Sequence, residues 1–392
     1  MSSSTTSSVG ANSERARSHN RQLVLGRVKA AGQAGRAEIA RTSGLSTQAV
    51  SNIIADLLRD GLILERGRRS GSRGQPAVQY ALDAKGGYGL GIDLRPDSVL
   101  LALLDLTGTM VHATRVSLDV AERDLVTRIV CEEFQKCLRA TGVPSERVLG
   151  AGIVMPGPFG KTGIRHSGSD LPGWDDTDAA TWFAEALGLS TIVENDANAA
   201  AMAERVFGAA VGMESFAFLF FGGKGLGLGI VYEGRPMVGG FGNAGEIGFV
   251  PVPASGKVEM LEKKVSRLSI EQAMSASGVQ VEDMGHLEEL YQTAHPGLLD
   301  WLDRAAEPLS AGIAIMENML DPEAIILGGA MPEVILDDLI GRVTFAERVV
   351  SDRGDRRYPR LIRGTSGRMT ATLGAAALVI NNAVMPVIGD VG

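Results

Sequence analysis

Two stretches of this sequence repeat one pattern, and the repeat limits the folds open to it. Residues 88–106 read YGLGIDLRPDSVLLALLDL, and residues 215–236 read SFAFLFFGGKGLGLGIVYEGRP. Each is an apolar run, a tight turn and a second apolar run, which is the signature of a β-hairpin. After the first come a helix over about 121–140, the buried strand of VLGAGIVMPGPFG and a helix around 178–187. The short strand of STIVEND and the Ala-rich helix of ANAAAMAERVFGAA follow. After the second come helices over about 270–280, 285–293 and 298–319, then the buried strand AIILGG. A closing helix, TATLGAAALVINNAV, is expected to pack back on the first half. Two α/β lobes, each opening with a hairpin, describe an internal duplication with a cleft between its halves. A chain of 392 residues, 45% hydrophobic, can fill cores of that size.

Charge separates this body from what precedes it. Residues 1–85 hold 13 Lys and Arg against 6 Asp and Glu, a net of +7; the whole chain is −8, so the remainder is −15. A basic head on an acidic body points to a nucleic-acid-binding module. Leu23, Val24, Leu25 and Val28 fall at helical spacing, and GRAEIARTSG reads as a short second helix ending at Gly44. LSTQAVSNIIADLLRDGLI reads as a third. Ser46 is its N-cap, Val50, Ile53, Ile54, Leu57 and Leu58 its apolar stripe, and Gly61 its stop. Three helices with a short Gly-containing turn before the last match a helix-turn-helix. LILERGRRSGSRGQPAVQYALD then alternates as strand, basic turn and strand, a wing. In such modules the start of the third helix enters the major groove. That places Ser46, Thr47, Gln48, Ser51 and Asn52 at base edges and phosphates. Arg66, Arg68, Arg69 and Arg73 suit the DNA backbone or minor groove, and Arg36 joins them as a DNA-binding candidate. A three-helix protein-interaction domain with a solvated basic loop is the alternative.

Several classes are disfavoured. Cys131 and Cys137 support neither a disulfide framework nor a four-ligand zinc site, which fits a reducing, cytoplasmic setting. No uninterrupted apolar run is long enough to span a bilayer. Residues 1–18 are polar, without the apolar core of a signal peptide, and are expected to be a disordered leader. The domains expected are thus 1–18 leader, 19–83 winged helix-turn-helix and 84–392 body. Within the body, lobe one takes about 87–200 and the closing helix about 370–385, and lobe two about 201–369.

Four motifs carry a family resemblance: MPGP at 155–158, VENDANAAAMAE at 193–204, GGFGNAGEIG at 239–248 and LDPEAIILGG at 320–329. Together they resemble the ROK family of sugar kinases and sugar-responsive repressors. The fold implied is α/β, a winged helix-turn-helix followed by a two-lobed actin-like sugar kinase (ASKHA) body. A winged helix ahead of the body looks like the repressor branch. The family's kinases carry a D-x-G-G-T turn whose backbone N–H groups approach ATP phosphates. Here Asp93 remains, but Arg95 and Pro96 stand for the glycines and Asp97 for the threonine. Arg95 adds a side chain, Pro96 removes a donor, and Asp97 is expected to set a carboxylate where the γ-phosphate would lie. The second turn, GGKGLGLG, and LGG at 327–329 read as hairpin and strand-to-helix turns.

The resemblance assigns Asn195, Asp196, Glu246 and Glu262 as sugar ligands, with Asp196 matching the kinases' catalytic base. A helix N-cap uses Asn and Asp equally well, and both roles can coexist. The family's zinc-holding His and Cys are missing: Phe249 follows GEIG, Met260 stands for a Cys, and about six residues are deleted by comparison with the family's pattern. His19, His112, His166, His286 and His295 have no ligand spacing, so no metal and no cofactor are expected. His166 either lines the cleft or is a surface residue, and Trp174 is read as a packing anchor. Phe249 cannot donate a hydrogen bond where the family's His does, a loss of about 1–3 kcal/mol. The reading that follows is a DNA-binding regulator, a homodimer or homotetramer on a palindromic operator. A sugar or sugar derivative bound in an inactive kinase-like cleft controls it. An ATP-dependent sugar kinase and a ligand-independent dimeric repressor are the alternatives.

Overall fold

The computed structural model describes residues 6–384 except 70–76, 158–170, 172, 175–176, 224, 365–366 and 368. The N-terminal unit holds α1 (Thr6–Ala31), β1 (Ala34–Gly35), α2 (Arg36–Ser43), α3 (Thr47–Arg59), β2 (Ile63–Arg69) and β3 (Ala77–Leu82). Gly44 closes α2 in the left-handed conformation, and the Ser46 side chain accepts from Ala49 N to cap α3. β2 and β3 form the antiparallel wing, with β1 on the far side of β3. The wing tip, with Arg73, lies outside the described residues. The leader expected to be disordered over 1–18 is instead helical from Thr6. It contains no Pro, and α1 is held against α3 by Arg17–Asp56 at 2.7 Å and Arg21–Asp60 at 2.5 Å. The first of those pairs gives the end of this polar stretch a partner that its composition does not reveal.

The body is built on two five-stranded sheets of one topology. The first comprises β4 (Tyr88–Arg95), β5 (Ser98–Asp105), β6 (Met110–Ser117), β7 (Val148–Met155) and β8 (Thr191–Asn195), with helices α4 (Arg123–Thr141), α5 (Ala179–Leu187) and α6 (Asp196–Phe207). The second comprises β9 (Phe216–Phe221), β10 (Leu226–Tyr232), β11 (Arg235–Pro236), β14 (Ile325–Gly329) and β15 (Leu361–Arg363). A separate hairpin, β12 (Pro251–Ala254) and β13 (Lys257–Met260), interrupts it. Its helices are α7 (Arg267–Ala276), α8 (Met284–Gln292), α9 (Pro296–Leu320) and α10 (Glu333–Arg342), and α11 (Thr370–Val384) returns to the first sheet. Strand orders are β6-β5-β4-β7-β8 and β11-β10-β9-β14-β15. In both, the first three strands in chain order pair antiparallel and the last two add in parallel. The duplication expected from the two hairpins is therefore present strand for strand.

Glycines in the opening hairpin of each sheet set the distance between layers. A Cβ on Gly91 of β4 would lie 2.0 Å from Thr372 O, and one on Gly229 of β10 would lie 2.3 Å from Ala197 O. So α11 presses its backbone onto the first sheet and α6 onto the second. A Cβ on Gly374 would meet Ala199 O at 1.6 Å, so α6 and α11 touch backbone to backbone. Side chains are absent at these contacts because nothing larger fits.

The closing helix packs on lobe one, as expected, and also beyond it. Ala376, Ala377, Ile380 and Val384 of α11 share one buried cluster with Val24 and Val28 of α1 and Leu57 of α3. Leu104 and Leu106 of lobe one belong to the same cluster. Gln22 Nε2 donates to Asn382 O at 3.0 Å. Arg147 Nη1 donates to Asp60 O at 2.9 Å and Gly86 O at 3.2 Å. The winged helix and the first lobe are thus joined by a continuous apolar seam.

Candidate functional site

The crevice between the sheets takes its residues from strand ends and helix starts. At the tip of β4 the Arg95 guanidinium folds back on Asp93. Nε and Nη2 donate to Asp93 Oδ2 at 3.0 and 2.7 Å, and Thr372 Oγ1 donates to the same oxygen at 3.2 Å. Asp93 is buried. The hairpin closes through Pro96 and Asp97 alone, since Arg95 pairs with Ser98. Asp97 does not take the position expected of it. It is largely exposed, accepts from Ser98 Oγ at 2.9 Å and pairs with Arg115 at 3.7 Å. The filling of this turn is done by Arg95, because its fork finds a buried carboxylate two residues back while Asp97 finds a partner on β6.

The other wall starts where β8 runs into α6. Asn195 Oδ1 accepts from Asn198 N at 2.7 Å, capping the helix. Glu194 was not singled out in the sequence, yet it holds this corner. Its Oε1 accepts from Asn195 N at 2.9 Å and Asn198 Nδ2 at 3.0 Å. A carboxylate directly before an Asn cap is the signal that marks it. Asp196 Oδ1 accepts from Ala197 N at 2.9 Å. Its Oδ2 lies 3.3 Å from where a Cβ on Gly222 would be, so it faces the second hairpin turn. Burial pushes the Asp196 carboxyl up to about 6. Asp93 adds to the rise and Glu246 adds less, while the Ala197 N–H and Arg95 oppose it.

Lobe two supplies the remaining carboxylates. A Cβ on Gly157 would lie 3.6 Å from Glu246 Oε1 and 4.0 Å from the Asn195 Cβ, so these three residues converge. Glu262 Oε2 stands 3.6 Å from the Cβ position of Gly225 and 3.1 Å from that of Gly248, beside the second glycine turn. The structure thus gathers Asn195, Asp196 and Glu246 closely and sets Glu262 against the adjoining wall. Phe249 is half-buried and donates its N–H to Glu246 O at 3.3 Å. Pro158 and His166 lie outside the described residues. Trp174 is buried and stacks on Phe183 with centroids 5.4 Å apart, a packing role.

Where the resemblance places the zinc loop, the chain forms the β12–β13 hairpin. Ser255 and Gly256 both have positive φ, 51° and 77°, as the two-residue primed turns require. Val252 and Ala254 are buried in the lobe-two core, and Ser255 N donates to Glu307 Oε2 at 2.7 Å. Among the described residues no group of three His, Cys, Asp or Glu is arranged to hold a metal. Dialysis against a strong chelator is expected to leave the melting temperature unchanged; a fall of several degrees would show that a metal holds this region.

The second candidate surface is the outward face of α3. Thr47, Gln48 and Asn52 are exposed, opposite the buried Val50, Ile54 and Leu57. Ser46 is exposed at the cap, and Ser51 is half-buried with its hydroxyl donating to Thr47 O at 2.9 Å. Arg36 is exposed at the start of α2 with its guanidinium 5.5 Å from the Tyr80 ring centroid. Arg66 is exposed on β2, and Arg68 and Arg69 continue that strand.

A ROK family model matches residues 89–382. The chain belongs to the ROK family. Within it, this ROK protein is 29% identical over 298 residues to the uncharacterized protein y4fQ of Sinorhizobium fredii, covering 76% of this chain and 74% of that one. It is 24% identical to the xylose repressor of Bacillus subtilis over 93% of this chain and 95% of that one. In fold it is similar to a ROK family transcriptional regulator described as a homolog of the E. coli MLC protein. The TM-score is 0.72 at 22% identity, covering 94% of this chain and 97% of that one. The ROK hexokinase of Thermus thermophilus covers 74% of this chain and 97% of its own, with TM-score 0.58 and 28% identity. Similarity to the regulators therefore runs through the winged helix as well as the body. No helix among the described residues is long and apolar enough to cross a membrane.

Proposed function

We propose that this ROK protein is a DNA-binding transcriptional repressor controlled by a sugar or sugar derivative, and that its kinase-like crevice senses without turning over. The observation that carries the reading is the Arg95–Asp93 fork. A guanidinium occupies the turn where a nucleotide-binding relative brings bare backbone to phosphate, and Pro96 removes a donor from the same turn. The carbohydrate side is retained: Asn195, Asp196, Glu246 and Glu262 offer acceptors to sugar hydroxyls. Without a phosphoryl donor, Asp196 has no catalytic task and serves as a ligand.

On the DNA side, Ser46, Thr47, Gln48, Ser51 and Asn52 contact base edges and phosphates. Arg36, Arg66, Arg68, Arg69 and Arg73 contact the backbone or minor groove. The protein acts in the cytoplasm as a homodimer or homotetramer, with two winged helices on a palindromic operator. A sugar that binds the closed lobes more tightly than the open ones shifts the placement of those winged helices, and repression is relieved. The repressor names of relatives such as the xylose repressor, matched along nearly their whole length, support this.

A sugar kinase remains the second reading because Asp196 is in place and the Gly222–Gly223–Gly225 turn keeps its glycines. Two measurements separate them. Calorimetric titration with a panel of pentoses, hexoses and N-acetylhexosamines is expected to show binding of at least one. A coupled ADP-release assay with Mg-ATP and the same panel is expected to stay at background. Turnover near the ~1–100 s⁻¹ of ordinary kinases would overturn the reading. Binding of no sugar, together with sugar-insensitive DNA binding, would favour a constitutive repressor.

A further inference from the structure

The outward face of α3 carries a hydrogen bond of its own. Gln48 Nε2 donates to Asn52 Oδ1 at 3.2 Å, and both side chains are exposed. The two residues are four apart, so the bond runs along the helix on the face opposite Val50, Ile54 and Leu57. The neighbouring serine hydroxyls each spend part of their capacity within the helix. Ser46 accepts from Ala49 N at 3.2 Å, and Ser51 donates to Thr47 O at 2.9 Å. The amide pair offers a partner more donors and acceptors than any one of these hydroxyls.

Its internal bond consumes one N–H of Gln48 and one lone pair of Asn52. The Gln48 carbonyl and the Asn52 NH₂ group keep their full capacity, and one N–H of Gln48 and one lone pair of Asn52 remain as well. Turning both amides over reverses the bond and leaves the same total, three N–H groups and three lone pairs. In the major groove, adenine presents a donor at N6 beside an acceptor at N7. Guanine presents two acceptors, cytosine a donor, and thymine an acceptor and a methyl group. Adenine's edge is the one with which Asn and Gln amides characteristically pair bidentately, acceptor to N6 and donor to N7.

We propose that Gln48 and Asn52 act as one bidentate reader of an A·T pair in each half-site. The bond between them holds both side chains in the reading geometry before DNA arrives, which reduces the ordering cost of binding. The inference rests on the DNA-binding reading above and names the base that reading leaves open.

The test is selection from a randomised duplex library by the full-length chain, followed by affinity measurement on the enriched sequence. The wild type is expected to enrich a motif with A·T at one position per half-site, and G·C there to weaken binding by about 5- to 150-fold. Asn52→Ala should flatten preference at that position and leave the rest of the motif intact. Gln48→Glu offers acceptors only and should move the preference toward cytosine, whose N4 amine donates. Both positions are exposed, and circular dichroism of each variant checks that the helix persists. A wild-type motif that both variants retain unchanged would overturn the inference and leave DNA binding standing. A wild-type motif without such an A·T position would overturn it as well. If the wild type enriches no sequence, the DNA-binding reading falls with it.

Discussion

Asp196→Asn is expected to stabilise the sugar-free protein near neutral pH and to abolish its response to sugar. In the fold this carboxyl titrates at about 6, against an ordinary 3.8. A rise of that size is a penalty on the charged form, set first by burial and then by Asp93. About two units correspond to roughly 3 kcal/mol, and partial solvent access in an open crevice brings the working figure nearer 2 kcal/mol. The sign follows from linkage. Between about pH 4 and pH 6 the folded state holds the extra proton, so this group's contribution is fully present below the unfolded pKa and is lost as pH rises through the folded one. An amide has no charge to bury and escapes that loss. The variant's advantage in urea unfolding should therefore be small near pH 4 and reach its plateau above about pH 6.5. Calorimetry on the same variant should show no heat with any sugar the wild type binds. Equal urea midpoints for the two proteins near neutral pH would mean that the crevice does not strain this carboxylate. Retained sugar heats would remove it from the binding site.

The second large effect is expected at the seam. Ile380 on α11 is fully buried in the cluster shared with α1 and α3. Ile380→Ala removes three carbons from a site walled by helices of two units, at a cost of about 2–5 kcal/mol. The loss should not stay local. Amide hydrogen exchange is expected to rise in α1 and α3 together with α11, because those helices protect one another through that cluster. Faster exchange confined to α11, with α1 and α3 as protected as before, would show a winged helix that folds on its own and is merely tethered.

Much of this architecture was legible because its signals are local. Ser46 before an apolar stripe announces α3, and the Gly44 stop separates it from α2. The two hairpins announce the duplication, and their glycines mark where helices press on the sheets. Asn195 and Asp196 stand out at a strand-to-helix junction. What stayed hidden depends on distant partners. The docking of α1 on α3 includes ion pairs from Arg17 and Arg21 to Asp56 and Asp60, some forty residues on. β15 is three residues long and exists because β14 lies beside it. The β12–β13 hairpin follows Ser-Gly turn chemistry, which the zinc-loop comparison obscured. The direction of Asp97 was decided by Arg115 on the next strand. The reach of α11 into the winged helix had a signal that went unread: its sequence is apolar all round, which suits a helix enclosed on every side.

The meeting of Gly374 with the Ala199 carbonyl has a mechanical corollary. Two rods in direct backbone contact at a single crossing have one inexpensive relative motion, a scissoring about that point. Any other displacement has to part close-packed alanines. One blade begins at Asp196 in the crevice, and the other passes Asp93 on its way to α1. Closing the angle on the crevice side of the crossing closes the opposite angle with it, so the far ends move in step over an arc set by their distance from the pivot. On the function proposed above, the small travel of a sugar-sized ligand is thereby carried along α11 as a larger travel at the winged helix it packs against.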